Sequence, residues 1–305
     1  MGELYQGKIT RGVGGFYYVF VPLKDQMYEC RAKGSFRNDN IRPLVGDDVE
    51  IQIISQESAT GNIDRILPRK SALVRPAVAN VDQAMVIFSV KKPDLSLNLL
   101  DRMLIHIMQQ NLPAFLCLNK ADLDENGMGR QIAAAYEAAG YPVYCISALK
   151  DADVERVRVR LMGKTTTVAG PSGVGKSTLI NRLQHSTQME TGEVSKKLSR
   201  GKHTTRHSQL IPVDQNSYIL DTPGFGSLEL FDLEKEDLAA CYSEFTPYAG
   251  ECKFTGCTHT HEPVCGVKDA LAQGKISKIR YETYRTLYEE LAGRQRKYDK
   301  ERSYI

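Results

Sequence analysis

The stretch Gly170-Pro171-Ser172-Gly173-Val174-Gly175-Lys176-Ser177-Thr178 fits the phosphate-loop pattern GxxxxGK[ST] at every position. Thr165 to Ala169 before it reads as a strand of β-branched and small residues, and Ser177 to Leu183 after it reads as a helix. Strand, loop and helix in that order commit this part of the chain to an α/β layer. The glycines let successive backbone N–H groups turn inward around an anion, and the helix N-terminus adds partial positive charge. In that pattern Lys176 reaches the β and γ phosphates and the Ser177 hydroxyl ligates Mg²⁺. The loop lies past the middle of a 305-residue chain, which is long enough for two or three domains.

What precedes the loop has the same grammar. Ala84 to Val90 is a continuous apolar run of strand length, and Leu97, Leu100, Leu104 and Ile107 then recur at helical spacing. Pro113 to Leu118 makes another strand, Ile132 to Ala139 a helix and Val143 to Ile146 a strand, the pattern of an open, largely parallel sheet covered by helices. Cys117 and Cys145 fall inside those strands as core residues. The second strand ends in Asn119-Lys120-Ala121-Asp122, an NKxD sequence at the end of a strand, where open sheets bind ligands. The Asp122 carboxylate can accept from both N1–H and the exocyclic amine of guanine, and adenine offers neither in that arrangement. Ser147-Ala148-Leu149-Lys150, at the next strand end, resembles the loop that supports guanine through a backbone N–H.

Past the phosphate loop, Thr191 to Ser208 carries Lys196, Lys197, Arg200, Lys202 and Arg206 with no acid after Glu193. Within it Gly201-Lys202-His203-Thr204-Thr205-Arg206-His207 has the character of a switch loop, in which a threonine gives its hydroxyl to Mg²⁺ and its N–H to the γ phosphate; the same loop also suits contact with RNA. Ile211 to Val213 and Tyr218 to Leu220 read as paired strands ending in Asp221-Thr222-Pro223-Gly224. This DxxG makes Asp221 a holder of Mg²⁺ and Gly224 an N–H donor to the γ phosphate. The next residue is Phe225, whose ring cannot orient an attacking water as a glutamine would. His203 is the candidate for that task and His207 the second choice.

Both flanks read differently. Residues 1–70 show short apolar runs, such as Phe16 to Val21 and Val49 to Ile54, broken by glycine and proline, as in a small OB-like barrel. Its exposed face is expected to carry Arg31, Lys33, Arg37 and Arg42, in a stretch that includes Phe36. From Leu228 the pattern is helical, with Phe231 to Tyr242 acidic on one side. Cys252, Cys257, His259 and Cys265 then fall within fourteen residues as CxxxxCxHxxxxxC, four soft ligands for a closed, structural zinc site, with His261 a substitute. From about Lys268 the chain is helical: Tyr281, Tyr284, Leu287, Tyr288 and Leu291 form an apolar stripe, while Lys275, Lys278, Arg280, Arg285, Arg294, Arg296 and Lys297 lie largely elsewhere. Seven cysteines, three of them in that cluster, point to metal in a reducing cytoplasm rather than to disulfides. No apolar run approaches the roughly 20 residues that cross a bilayer, and no secretory signal is expected at Met1-Gly2-Glu3-Leu4-Tyr5.

The usual small GTPase order runs phosphate loop, switch threonine, DxxG, NKxD and then the guanine-supporting SAK loop; here NKxD and the SAK-like Ser147-Ala148-Leu149-Lys150 come first. Such a circular permutation is permissible where close termini are rejoined and a loop is opened. On these motifs the chain closely resembles, over essentially its whole length, the RsgA (YjeQ/YloQ) family of bacterial circularly permuted GTPases. The resemblance implies a permuted phosphate-loop GTPase domain (71–228) between an N-terminal OB-fold barrel (1–70) and a C-terminal helical zinc domain (229–305). It further implies slow GTP hydrolysis stimulated by the small (30S) ribosomal subunit during its late maturation, with rRNA contact by the flanking domains. It favours His203 as catalytic and Thr205 as the switch threonine. A cytoplasmic monomer is expected. A competing expectation is an RNA-binding zinc protein whose guanine-nucleotide site is a sensor with little turnover.

Overall fold

A computed structural model describes residues 3–34, 36, 42–73, 77–191, 209–214, 216–221 and 233–302; of residues 185–191, 221 and 295–302 it describes the backbone alone. The chain forms two compact units, one of Met1–Met85, Ala148–Ala169 and Lys176–Ser227, the other of Val86–Ser147, Gly170–Gly175 and Leu228–Ile305.

In the first unit, β1 (Leu4–Val13) pairs antiparallel with β2 (Phe16–Val21) and with β4 (Asp48–Ser55). β2 pairs antiparallel with β3 (Gln26–Ala32), β4 with β5 (Thr60–Ile66), and β3 runs parallel to β5. Each strand has two neighbours, so the five close into a barrel. Strand alternation turns Ile9, Val19, Val21, Tyr28, Cys30, Val49, Ile51 and Ile63 inward, all fully buried. On the outside the Arg11 guanidinium lies 3.9 Å from the Tyr18 ring centroid and that of Arg31 4.6 Å from the Phe16 centroid. The expected basic face is therefore partly realised. Arg31 and Arg42 are exposed, Lys33 is paired with Asp64, and Arg37 lies outside the described residues. Phe36 is buried, because its apolar ring gains by leaving water, and so it offers no stacking surface.

The segment after the barrel is tied back to it. Asp47, fully buried, accepts from the Arg69 guanidinium at 2.6 and 2.8 Å and from the Leu44 N–H at 2.7 Å. Asn80 donates to the Gly46 carbonyl at 3.0 Å and accepts from the Lys70 N–H at 2.8 Å. The chain continues through β6 (Ala72–Leu73), β7 (Val78–Ala79), β8 (Gln83–Ser89), α1 (Leu97–Gln109), β9 (Ala114–Asn119), α2 (Met128–Ala138) and β10 (Val143–Cys145). There follow α3 (Asp151–Leu161), β11 (Thr165–Ala169), α4 (Lys176–Thr191), β12 (Gln209–Asp214) and β13 (Ser217–Asp221). In the first unit β11 runs parallel to β13, and β12 pairs antiparallel with β13. In the second, β9 runs parallel to β10, and the Val90 N–H donates to the Asn119 carbonyl at 2.9 Å. Every residue of β8 and β11 is buried, which is why these strands read as unbroken runs rather than alternations.

The C-terminal part of the second unit holds α5 (Thr246–Ala249), α6 (Gly266–Ala272) and α7 (Lys278–Arg302). The helix expected over Phe231–Tyr242 is not continuous: its described residues hold turns and a 3₁₀ segment, Leu238–Cys241. With the next 3₁₀ turn, Ser243–Phe245, this brings Leu238, Tyr242 and Phe245 into one core with Ile105 of α1 and with Tyr281, Tyr284, Leu287, Tyr288 and Leu291 of α7. Arg280 departs from the expectation that it lies among solvated basic residues, being 2% exposed. It pairs with Asp101 of α1, and its Nε donates to Glu244 at 2.7 Å. Asp101, 1% exposed, also accepts from the hydroxyls of Tyr136 of α2 at 2.6 Å and Tyr242 at 2.8 Å. Burial works against the charge on Arg280, but the carboxylates of Asp101 and Glu244 outweigh it and raise its pKa. Removing one partner leaves an uncompensated buried charge, so Arg280→Ala is expected to cost about 3–5 kcal/mol in chemical unfolding. A loss under about 1 kcal/mol, the range of a surface pair, would contradict this role.

Candidate nucleotide site and metal centre

The loop Gly170–Gly175 belongs to the second unit. Gly170 has φ 148°, and a Cβ there would fall 2.1 Å from the Ile87 carbonyl oxygen; at Gly175, φ 97°, it would fall 2.3 Å from Asn119 Nδ2. Only glycine meets both demands, left-handed backbone and no side chain. Two residues of the NKxD sequence grip this loop. Asn119, 2% exposed, donates from Nδ2 to the Val174 carbonyl at 2.8 Å, and the Lys120 ammonium donates to the Gly173 carbonyl at 2.9 Å and also to the Lys92 carbonyl. Lys120 has left-handed backbone, φ 59°, a conformation that concentrates at functional sites. The chain then enters a 3₁₀ turn, Ala121–Leu123, that leaves Asp122 exposed. The Ala121 N–H donates to the Ile146 carbonyl at 3.0 Å, joining the NKxD turn to the strand end at Ser147, which is 3% exposed. Pro171 is half-buried, Ser172 exposed, and Ala148 buried. In the first unit, Lys176 opens α4 half-buried, followed by Ser177 and Thr178, both exposed. Asp221 is the last residue of β13. His203, His207, Thr204, Thr205 and Gly224 lie outside the described residues.

The second constellation is Cys252, Cys257, His259 and Cys265, whose four ligand atoms lie within 4.8 Å of one another. Cys252 Sγ stands 3.8 Å from Cys265 Sγ and 3.5 Å from His259 Nδ1, which is 3.4 Å from Cys265 Sγ. Tetrahedral zinc with Zn–S of about 2.3 Å and Zn–N of about 2.0 Å demands separations of about 3.8 and 3.5 Å, so the donor set fits the ion. His261 is exposed and not among the four. His259 sits at φ 57°, and its carbonyl accepts from the Tyr281 hydroxyl at 2.7 Å, which fixes the loop on α7. Burial lowers the His259 pKa and so favours the neutral imidazole that ligates metal. Burial also pushes the Cys257 thiol up to about 12, a cost that a bound dication reverses.

A family model described as RsgA GTPase matches residues 66–231, and one described as RsgA N-terminal domain matches residues 6–63. The small ribosomal subunit biogenesis GTPase RsgA of Agathobacter rectalis is 50% identical over 299 residues, covering 95% of this chain and 99% of that protein. Its counterpart from Alkaliphilus metalliredigens is 46% identical over 279 residues, covering 92% and 95%. Among solved structures, YjeQ from Thermotoga maritima is similar with TM-score 0.77 at 33% identity, covering 95% of this chain and 99% of that one. YloQ, a circularly permuted GTPase, has TM-score 0.75 at 33% identity and 96% coverage of both chains. The chain belongs to the RsgA family. It is a circularly permuted GTPase with an N-terminal five-stranded barrel and a C-terminal Cys₃His cluster. No helix among the described residues is long and apolar enough to cross a membrane.

Three features, two at these sites and one on the barrel, carry no motif in the sequence. The Lys92 carbonyl carries no side-chain signature at all. The Arg–aromatic pairs of β1–β3 are marked only by Phe16-Tyr17-Tyr18 between strands that hold Arg11 and Arg31. Glu262, within the cysteine cluster, matches no ligand pattern: it accepts from the Thr258 N–H at 2.6 Å, the Thr258 hydroxyl at 2.8 Å and the Thr260 N–H at 3.0 Å. Burial opposes its ionisation, but these hydrogen bonds outweigh it and hold its carboxyl at about 2, below its ordinary 4.5. A depressed carboxyl pKa contributes stability above the unfolded-state pKa, and this is lost as pH falls through the folded one. Glu262→Gln is therefore expected to be less stable than the parent near neutrality, the gap closing between about pH 4.5 and 2. Thermal melting across that range checks it, and a gap independent of pH would contradict it.

Proposed function

We propose that the chain hydrolyses GTP in the biogenesis of the small ribosomal subunit, with Asn119, Lys120 and Asp122 reading guanine and Gly170 to Thr178 holding the phosphates. The observation that supports the reading is the double grip of Asn119 and Lys120 on Val174 and Gly173, which ties the NKxD turn to the glycine loop. Asp122 accepts from guanine N1–H and the exocyclic amine, and Ser147 and Ala148 close the base pocket through their backbone. Loop N–H groups and the Lys176 ammonium receive phosphate oxygens. The hydroxyls of Ser177 and Thr205 and the Asp221 carboxylate are hard oxygen donors suited to Mg²⁺, which when bound neutralises phosphate charge. Gly224 donates its N–H to the γ phosphate. Because Phe225 cannot hold a water, His203 positions or deprotonates it, so that GTP and water give GDP and phosphate.

The flanking parts serve RNA contact in this reading. Guanidinium groups stacked over rings on the barrel suit an RNA strand, offering charge to phosphates and a flat surface to bases. One structural zinc held by Cys252, Cys257, His259 and Cys265 fixes the C-terminal fold, and the chain works as a cytoplasmic monomer. The relatives named for small-subunit biogenesis, similar over nearly their whole length, support the partner.

The test is GTP hydrolysis with and without purified small subunits. The reading expects strong stimulation, abolished by Lys176→Ala; RNA binding controlled by nucleotide occupancy, with no stimulated turnover, would instead make the site a sensor. Asp122→Asn exchanges an acceptor for a donor and is expected to relax guanine selectivity in competition binding. Full retention of the preference for GTP would contradict the base-reading role.

A further inference from the structure

The loop after β8 touches the nucleotide-site residues although no motif marks it. Ser89, the last residue of β8, is 1% exposed, and its hydroxyl donates to the Pro93 carbonyl at 2.7 Å. Between the two, the Lys92 carbonyl accepts from the Lys120 ammonium, the same group that donates to the Gly173 carbonyl at 2.9 Å. The Pro93 ring stands 3.6 Å from the point where a side chain on Gly173 would begin. Lys92 has left-handed backbone, φ 54°, which a lysine holds only where its surroundings over-determine it. The Ser89–Pro93 bond and the Lys120 contact on either side of that residue are such surroundings.

We propose that Ser89 is a positioning residue of the guanine site: by holding the Pro93 carbonyl it presents the Lys92 carbonyl to Lys120, and thereby sets where Lys120 meets the phosphate loop. The inference rests on the reading of Asn119–Asp122 as the base site and adds a residue to it. An ammonium has three donors and no preferred plane, so one acceptor alone leaves it free to turn. Two carbonyls, from Lys92 and Gly173, fix its direction and stretch its four-carbon stem from the NKxD turn to the phosphate loop. Without the Ser89 hydroxyl the Lys92 carbonyl loses its register and Lys120 keeps one acceptor. The effect falls on GDP and GTP alike, since neither contact involves the γ-phosphate end of the site.

The experiment is equilibrium binding of a fluorescent GDP and of a non-hydrolysable GTP analogue to the full chain. Ser89→Ala is expected to weaken both by roughly three- to tenfold, the factor one neutral hydrogen bond carries. Ser89→Thr, which keeps the hydroxyl, is expected to stay within about twofold of the parent. Lys120→Met keeps the stem and loses the donors; in that background Ser89→Ala is expected to add no further loss, because coupled residues are non-additive. A GDP affinity unchanged by Ser89→Ala, or the same loss with Lys120 already truncated, overturns the inference while leaving the base site standing. Unchanged GDP affinity in Lys120→Met alone overturns the reading of the site, and the inference with it.

Discussion

The amide of Asn119 on the Val174 carbonyl is the contact on which the candidate nucleotide site depends. It joins the end of a buried strand to the crown of a loop in which three residues, Gly170, Gly173 and Gly175, have positive φ. A side chain at position 175 would occupy the place of the Asn119 amide, so the glycine and the asparagine specify one another. The bond is buried, and a polar group lost there is not replaced by water at no cost. The residues proposed to read the base thus also hold the loop proposed to take the phosphates.

The same economy appears in the C-terminal part of the second unit. α7 contributes an apolar stripe to the core, the Tyr281 hydroxyl to the backbone of the metal loop, and Arg280 to a buried ion cluster shared with α1 and α2. α1 and α2 flank the NKxD strand in sequence, and the helix that supports the cysteine cluster is bonded to α1 through Arg280 and Asp101, which also accepts from Tyr136 of α2. Such a cluster contributes less through net attraction than through the large penalty for breaking it, which makes it a constraint on arrangement.

Much of this architecture was legible in the residues. β8 declared itself as an apolar run and β11 as a run of β-branched and small residues because both are buried throughout, and the barrel strands showed as short apolar runs broken by glycine and proline. The phosphate loop, the NKxD turn and the cysteine cluster were found because each uses side chains of restricted type at fixed spacing. What escaped was carried by backbone groups and by burial. The Lys92 carbonyl is invisible in a sequence, since every residue has one. Arg280 looked like any basic helix residue, because its carboxylate partners lie 179 positions away at Asp101 and 36 away at Glu244. Phe36 stands among basic residues in the sequence, yet it is buried. The segment before Thr246 has helical spacing of its apolar residues, which successive 3₁₀ turns satisfy without a continuous helix.

The NKxD strand holds the phosphate loop in place through the Asn119 amide. The most direct measurement is the dissociation rate of a fluorescent GDP from Asn119→Ala, with circular dichroism to establish that the fold is retained. If the Asn119 amide holds Val174 as described, GDP leaves at least about tenfold faster, as the loss of a buried hydrogen bond with its desolvated partner requires. Dissociation at the parent rate from a folded variant would contradict it.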